Sequence, residues 1–257
     1  AVAFSPGSKT LVSCGNDGTV KLWDVASGSQ RITMRGHVGS VNSVCFGSDQ
    51  NTVYSAGRDR TIRIWNAQTG KEQRKPLSQA GEITSMAYSH DGRRLVTGSS
   101  DNSIAVWDMA SYSRLHSSAE HDSRVRCLDI SRSGLHLATG GADGRILIWD
   151  LSRGSIVRSL DAHSNYVTGV EFSRDGKTLM SVSTDHTTKI WDLPSGTVRH
   201  NLTGDHMVTS LAMETGRRNL AVGDSEGMVQ FWDVGKGTRV RELDCGDPSI
   251  GSIQFSL

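Results

Sequence analysis

The chain has 257 residues, with 28 Lys and Arg side chains against 27 Asp and Glu, so its formal charge is +1. A balance this even gives no overall field to attract nucleic acid or a membrane surface, which disfavours both as partners. No stretch approaches the roughly 18 uninterrupted apolar residues of a membrane helix, and the sequence starts with neither a signal peptide nor an initiating Met. We therefore expect a folded, intracellular protein, cytoplasmic or nuclear, taken from a longer chain.

The cysteines and histidines show no metal-ligand spacing. The four cysteines are far apart and form no C-x-x-C pair: Cys14, Cys45, Cys127 and Cys245. Such isolated thiols are typical of a reducing compartment, and the nine histidines are spread along the chain. The sequence predicts no metal site and no cofactor.

Six tryptophans recur at an almost fixed spacing. They are Trp23, Trp65, Trp107, Trp149, Trp191 and Trp232, with successive separations of 42, 42, 42, 42 and 41 residues. A period of about 20 to 50 residues is typical of repeat architectures, in which each copy of one unit buries its apolar face against the next.

Each repeat carries short segments with strand character. In the second repeat these are VNSVCF, TVYSAG and TIRIWN, and in the fourth they are VRCLDI, HLATGG and RILIWD, followed by SIVRSL. They are rich in β-branched residues and are separated by turn residues. Because strands rise about 3.3 Å per residue, four strands and their turns fit one period, which predicts an all-β chain of small four-stranded sheets.

These residues resemble the WD-repeat β-propeller family, named for a Trp-Asp pair that ends the third strand. The pair is present at Trp23-Asp24, Trp107-Asp108, Trp149-Asp150, Trp191-Asp192 and Trp232-Asp233, and a Gly-His pair stands at Gly36-His37. The resemblance covers all of residues 1–257 and implies a WD-repeat β-propeller with six recognisable four-stranded blades.

The two ends of the chain match parts of a repeat. The tail SIGSIQFSL, residues 249–257, aligns with the first strand of the fifth repeat and is predicted to be the first strand of a seventh blade. The opening AVAF aligns with the end of a first strand. We therefore expect a propeller domain over 1–257 that is incomplete at both ends, a slice of a ring of seven or more blades.

The resemblance implies a hydrogen-bond relay within a blade, formed by a His, a Ser or Thr, an Asp and the Trp. Three repeats have all four: His37, Ser55, Asp59 and Trp65; His121, Thr139, Asp143 and Trp149; and His163, Ser181, Asp185 and Trp191. In the third repeat Gln79 replaces the His, and in the sixth Gly204, Val222 and Glu226 replace the His, the hydroxyl residue and the Asp. We expect those two blades to lose relay bonds.

Ser, His and Asp also form the triad of nucleophilic hydrolases. Here the set recurs in several repeats, uses Ser and Thr interchangeably and includes a Trp that covers it. A catalytic triad is instead a single constellation with an exposed nucleophile and an oxyanion site. The sequence therefore predicts that the protein is not an enzyme, has no catalytic residues and binds no small-molecule substrate.

In related propellers, loop residues of the narrow face contact peptide partners. The residues at the corresponding positions here include Arg58, Arg124, Arg126, Tyr166, Glu82 and Asn42. Arg binds carboxylates and phosphates with a planar fork, and Arg with Tyr is a common anchor at interfaces. We expect an acidic or phosphorylated peptide anchored by Arg124, Arg126 and Tyr166, with Arg58 from across the channel. The alternative is that these Arg side chains pair with Glu82 and nearby Asp residues and only solvate the rim.

Three classes of function fit the sequence. The first is a non-enzymatic protein–protein interaction scaffold within a multi-subunit assembly, which requires only a rigid framework and variable loops. The second is the sensing or autoinhibitory propeller of a larger regulatory protein with a kinase or ATPase elsewhere in its chain. The third, nucleic-acid binding, is disfavoured by the even charge.

Overall fold

The fold is all-β. It is described here from a computed structural model that covers residues 1–214, 219–246 and 249–255. The described chain forms 24 strands, which pair in sequence order as six four-stranded antiparallel sheets. We call each sheet a blade and number the blades along the chain. This confirms the prediction of four strands per repeat.

Blade 1 contains β1 (Val2–Phe4), β2 (Thr10–Cys14), β3 (Thr19–Asp24) and β4 (Gln30–Arg35). Blade 2 contains β5 (Val41–Phe46), β6 (Thr52–Gly57), β7 (Thr61–Asn66) and β8 (Leu77–Ser78). Blade 3 contains β9 (Ile83–Tyr88), β10 (Arg94–Ser99), β11 (Ile104–Asp108) and β12 (Ser113–Ser118).

Blade 4 contains β13 (Val125–Ile130), β14 (His136–Gly141), β15 (Arg145–Asp150) and β16 (Ser155–Asp161). Blade 5 contains β17 (Val167–Phe172), β18 (Thr178–Ser183), β19 (Thr187–Asp192) and β20 (Thr197–Thr203). Blade 6 contains β21 (Val208–Met213), β22 (Asn219–Asp224), β23 (Met228–Asp233) and β24 (Thr238–Asp244).

The described residues divide into two compact units. The N-terminal unit, residues 1–120, holds blades 1 to 3, and the C-terminal unit, residues 121–255, holds blades 4 to 6. Within the described part of the chain, no helix has the length and apolarity to cross a bilayer.

The core of each unit lies between successive blades. In the N-terminal unit, Met34 of blade 1 packs with Val53 and Trp65 of blade 2, and all three are buried. In the C-terminal unit, Ile146 of blade 4 packs with Trp191 of blade 5. A blade by itself would leave these side chains exposed to water. Their burial against the neighbouring blade therefore stabilises the unit, as the repeat pattern predicts.

Blade 2 departs from the other blades at its outer strand. Its fourth strand is only the two residues of β8, preceded by one isolated bridge between Trp65 and Glu72. The residue directly before β8 is Pro76, which has no N–H to donate to a neighbouring strand. This explains why the second repeat shows no fourth segment with strand character.

The tail after blade 6 lies where a following first strand would lie. The Thr209 hydroxyl donates to the Ile250 carbonyl over 2.6 Å, as the Thr168 hydroxyl of blade 5 donates to the Val208 carbonyl of blade 6 over 2.7 Å. The structure assigns no strand to the described part of 249–257, whose last two residues lie outside the description. The first strand of a seventh blade therefore stays a prediction.

A directional relay of hydrogen bonds runs through the interior of blade 4. The indole N–H of Trp149 donates to the Thr139 hydroxyl over 2.9 Å, and that hydroxyl lies 2.8 Å from Nε2 of His121. Nδ1 of His121 lies 2.9 Å from the Asp143 carboxylate. Because a carboxylate only accepts, Nδ1 carries the proton, Nε2 accepts from the hydroxyl, and every group in the chain has a partner.

The same relay occurs in two other blades. In blade 2 Ser55 lies 2.8 Å from the Trp65 indole nitrogen and 2.7 Å from His37, which lies 2.9 Å from Asp59. In blade 5 Ser181 lies 2.9 Å from Trp191 and 2.8 Å from His163, which lies 3.1 Å from Asp185. Burial lowers the pKa of His163 to about 4, which keeps the imidazole neutral, as the relay requires.

The relay of blade 3 is rerouted and not lost. The Thr97 hydroxyl accepts from Trp107 over 3.1 Å and donates to the Gln79 side-chain carbonyl over 2.6 Å. The Gln79 amide donates to the Ser103 hydroxyl over 3.1 Å, which in turn donates to Asp101 over 2.5 Å. The prediction that this blade loses relay bonds is therefore wrong, because a carboxamide both accepts and donates and Ser103 spans the remaining gap.

Blade 6 lacks the parts of a relay. Val222 stands where the other blades have a hydroxyl, and Gly204 provides no side chain in the place of the His. A small cavity lies there, lined by Gly204, His206, Val222 and Trp232. His206 lines this cavity, but it forms no hydrogen bond with a side-chain hydroxyl among the described residues.

Replacing Thr139 by Val should strongly destabilise the protein. The change keeps the shape of the side chain but leaves the buried Trp149 donor and the His121 ring without their shared partner, at a cost of about 2 kcal/mol. Urea unfolding measures this loss. The control is Thr238→Val on the exposed strand β24, and equal effects of the two substitutions would contradict the role of the relay.

Amide exchange should be faster in β21 and β22 of blade 6 than in the equivalent strands β13 and β14 of blade 4. The reason is that blade 6 has no relay tying its loop at 204–207 to its second and third strands, so local opening breaks fewer interactions. Native-state hydrogen exchange followed by mass spectrometry of peptides provides the comparison. Equal protection of the two blades would show that the relay does not set local stability.

Candidate functional site

The residues expected to bind partners lie at one edge of their blades. We define the loop edge of a blade as the edge at which its first strand begins. The turn between the second and third strands lies at the same edge. Backbone bonds join the two parts: the Arg58 N–H donates to Ser40 over 2.9 Å, and the Thr184 N–H donates to Tyr166 over 3.1 Å. Arg124 is joined in the same way, because its carbonyl accepts from the Ala142 N–H over 2.9 Å.

A bulge near the start of the first strand sets which side chains reach the loop edge. In blade 2, Val41 pairs with Gly57 and Ser43 with Ala56, so Asn42 is an extra residue without a cross-strand partner. The same shift occurs between Val125 and Cys127, between Val167 and Gly169, and between Val208 and Ser210. Blade 3 has the same shift, between Ile83 and Ser85. The extra residues are therefore Asn42, Thr84, Arg126, Thr168 and Thr209. A bulge re-aims the side chain of the extra residue.

At most of these bulges, the extra side chain holds the next first strand. The Asn42 amide donates to the Ile83 carbonyl over 2.8 Å, and Thr168 and Thr209 donate to the carbonyls of Val208 and Ile250. The sequence predicts that Asn42 contacts a partner. In the structure its side-chain amide instead forms a hydrogen bond that joins β5 to β9. Its position is determined by the packing of blades 2 and 3.

Arg126 breaks this pattern. Its guanidinium carbon lies 5.3 Å from the centre of the Tyr166 ring, whose residue is 42% exposed. The Nε atom of Arg126 is buried without a hydrogen-bond partner, and no described carboxylate forms an ion pair with Arg126. The Val167 carbonyl at this junction is instead 3.6 Å from the thiol of Cys127. Arg126 therefore lies beside an aromatic ring, and its guanidinium N–H groups have no acceptor among the described residues.

Arg124 and Thr184 add to the polar character of this loop edge. Arg124 is exposed, and no ion pair joins it to any of the described residues. The Thr184 hydroxyl is buried without a hydrogen-bond partner, and its backbone is bonded to Tyr166. Cationic and hydroxyl donors without acceptors suit the oxygen atoms of a carboxylate or phosphate.

Arg58 is in a different situation, in the N-terminal unit. Its Nε lies 3.2 Å from a Glu82 carboxylate oxygen, and the two side chains are 67% and 47% exposed. This is the pairing that the alternative interpretation of the sequence expected for Arg58. It does not extend to Arg124 or Arg126, so the structure separates the members of the predicted cluster by their counter-ions.

Two partly buried acidic residues of the C-terminal unit, Asp129 and Glu171, were not anticipated. Asp129 accepts from the Phe172 N–H over 2.8 Å, and Glu171 accepts from the Met213 N–H over 2.9 Å. Burial raises the pKa of Asp129 to about 6. Burial, reinforced by the charge of Asp129, raises the pKa of Glu171 to about 8. The sequence did hold a signal, because acidic residues occupy the same position of two repeats where others have Cys45 or Ala87.

Metal chemistry receives no support from side-chain clustering. Among the described residues, no three His, Cys, Asp or Glu side chains are grouped so that they could hold a metal ion. The hydroxyls of the relays are equally unsuited to attack a substrate, because Ser55, Thr139 and Ser181 have no exposed surface. The loop edges instead present charged and aromatic side chains, among them Arg58, Arg126 and Tyr166.

Six blades of four antiparallel strands, with relays that end on a Trp of the third strand, define a WD-repeat β-propeller. The family model described as the Echinoderm microtubule-associated protein second beta-propeller matches residues 43–204, more than half of the chain, and the model of the WD domain, G-beta repeat, matches residues 1–24. The chain belongs to this family of WD-repeat β-propellers.

Curated plant proteins share one short segment with the chain. Topless-related protein 1 and Protein TOPLESS, both of Arabidopsis thaliana, are each 46% identical to it over 46 residues. Protein TOPLESS-RELATED PROTEIN 2 of Oryza sativa subsp. japonica is 44% identical over 46 residues. The aligned segment is 17% of this chain and 4% of each relative, so the chain spans only a small part of their length.

Replacing Glu171 by Gln should remove a pH dependence of stability. The folded chain holds a proton on Glu171 between the ordinary pKa of 4.5 and about 8, whereas the unfolded chain does not. The free energy of unfolding of the parent chain therefore falls as pH rises through this window. The side-chain carbonyl of Gln can still accept from Met213.

Urea unfolding between pH 5 and pH 8.5 measures the effect. The parent chain should lose about 2 kcal/mol relative to Glu171→Gln across this range, a value reduced for partial access of solvent. The exposed Glu120→Gln variant is the matched control and should run parallel to the parent chain. Parallel curves for Glu171→Gln as well would refute the raised pKa.

Proposed function

We propose that this chain is a non-enzymatic protein–protein interaction scaffold that holds partner proteins within a multi-subunit assembly. Acidic or phosphorylated segments of those partners bind at the loop edge of the C-terminal unit. The observation that carries this proposal is Arg126, held over Tyr166 with a buried Nε that has no partner.

A buried polar group without a partner costs free energy that a bound acceptor recovers. Arg126 can offer two donors in one plane to the oxygens of a carboxylate or phosphate. Arg124, the residue directly before β13, adds a second positive charge at the same loop edge. Tyr166 restricts the guanidinium and offers an exposed ring to an adjacent side chain of the partner.

The scaffold role is supported by where the repeats place their chemistry. The relay hydroxyls are buried and bonded on both sides, so they stabilise the blades, and the variable charged residues stand at the loop edges. Loops on rigid frameworks are the usual places for recognition. The matching family is named for a microtubule-associated protein, a name that refers to association with a protein polymer and fits protein partners for this chain.

The experiment compares binding of three degenerate peptide pools that differ only in a central Ser, phospho-Ser or Glu. The parent chain should prefer the phospho-Ser or Glu pool, and Arg126→Gln should lose that preference by about tenfold or more. Arg126→Lys keeps the charge but not the fork and should retain part of it. Tyr166→Phe should bind like the parent, whereas Tyr166→Ala should bind more weakly.

The matched control is Arg132→Gln, in the turn at the other end of blade 4. Arg132 is exposed, and it stacks on no aromatic ring of the described residues, so its loss should leave the preference unchanged. Circular dichroism verifies that each variant is folded. Equal binding of the three pools by the parent chain, or an intact preference in Arg126→Gln, would refute this assignment. Co-purification from source cells with the same variants then tests whether the site retains partner proteins.

A further inference from the structure

An open depression lies between blades 2 and 3 of the N-terminal unit, at their loop edges. It encloses about 1000 Å³ of space open to solvent, and its lining includes Val38, Arg58, Arg60, Glu82 and Ser100. It lies entirely within the N-terminal unit and shares no residue with the Arg126 site. Its charges are two guanidinium groups and one carboxylate.

Within this depression, Arg58 already pairs with a carboxylate, that of Glu82. Glu82 meets Arg58 through a single contact, at Nε, so the two Nη groups of Arg58 have no partner among the described residues. Both side chains are about half exposed or more, and such a pair is held weakly. A carboxylate therefore fits against Arg58, and a competing carboxylate from outside could take its place.

Arg60 is the second cation and was not singled out by the sequence. Its backbone has φ of 66°, in the left-handed region, at the turn position where the other five blades have Gly18, Asn102, Gly144, His186 and Gly227. An Arg is less stable there than a glycine, which adopts this conformation freely. No carboxylate among the described residues pairs with Arg60. A strained residue with an unpaired charge suggests a role outside the fold.

Val38 provides an apolar contact beside the two cations. It is 78% exposed, yet its backbone is fixed because its N–H donates to the Asp59 carboxylate over 3.1 Å. Asp59 stands between Arg58 and Arg60 in the chain, so the relay of blade 2 holds the apolar side chain and both cations in one place. The arrangement matches a segment in which a hydrophobic residue adjoins carboxylates.

We propose that this depression is a docking site for an acidic peptide segment of a partner protein, with Glu82 as an internal competitor. The peptide's carboxylates bind Arg60 and the free donors of Arg58, and its apolar residue packs on Val38. Glu82 lowers the affinity by occupying Arg58 in the absence of the peptide. The proposal rests on the proposed function, protein binding at loop edges, and adds a second site with a partner of stated chemistry.

The test uses a fluorescent hexapeptide of five glutamates and one central leucine, titrated against the full chain. Arg60→Gly should weaken binding by about tenfold while the thermal midpoint stays equal or rises, because glycine relieves the left-handed turn. Glu82→Gln should strengthen binding about threefold to fivefold by freeing Arg58. Loss of stability in Arg60→Gly, or unchanged binding in both variants, would overturn the proposal.

Matched controls separate this site from the other one. His186 has the same left-handed backbone conformation in the C-terminal unit, so His186→Gly removes the same backbone strain as Arg60→Gly. This variant should not change peptide binding. If Arg126→Gln abolishes binding of the hexapeptide and Arg60→Gly does not, the docking site is wrong while the proposed function stands. If Arg60→Gly alone abolishes it, the docking site stands whatever the peptide pools show at Arg126.

Two further outcomes would also decide against the docking site. The parent chain could show no binding of the hexapeptide at low ionic strength, which would mean that the two cations do not form a site for carboxylates. A hexamer of uridylate could bind more tightly than the peptide and depend on Arg60, which would assign the depression to nucleic acid. The proposal expects neither.

Discussion

The structure depends on a hydroxyl group buried in the second strand of a blade. In blades 2, 4 and 5 this hydroxyl accepts from the Trp of the third strand and donates to a His, which is held by an Asp of the turn. One small group thus fixes two strands and the loop before the first strand. Because every donor and acceptor is used, the cost of burying polar groups inside a sheet is avoided. Blade 3 reaches the same result with Gln79 and Ser103, which shows that the constraint is a continuous path of hydrogen bonds and not the presence of a His.

The charged residues with the strongest claim to a partner are those that depart from the repeat. At the bulge of the first strand, Asn42, Thr168 and Thr209 hold the following strand, whereas Arg126 leans on Tyr166. At the turn after the second strand, three blades have glycine, whereas blade 2 has Arg60, blade 3 has Asn102 and blade 5 has His186 in the same left-handed conformation. Each departure gives up something that the repeat provides, a hydrogen bond between blades in one case and a relaxed backbone in the other.

Electrostatics divides the candidate residues further. Arg58, Arg124 and Arg126 are equivalent in charge, but among the described residues a carboxylate pairs only with Arg58. In the C-terminal unit, burial raises the pKa of both Asp129 and Glu171, and the charge of Asp129 raises that of Glu171 further. The two carboxyl groups connect β13 to β17 and β17 to β21 through backbone N–H groups. These carboxyl groups link protonation to the packing of successive blades. They do so away from the loop edges, so the proposed binding and the proton uptake involve different parts of the same strands.

The sequence by itself determined the all-β class, the four-stranded repeat and the members of three relays, because a period of 42 residues repeats the same local pattern and each copy must bury the same face. It also brought Arg126 and Tyr166 into one hypothesis. Only the tertiary structure decided that Gln79 continues a relay, that Arg58 is already paired, that Arg126 is not, and that Arg60 is strained. The physical reason is that a bulge, a left-handed turn and a counter-ion depend on how strands from different repeats meet, and spacing along one chain does not specify that geometry.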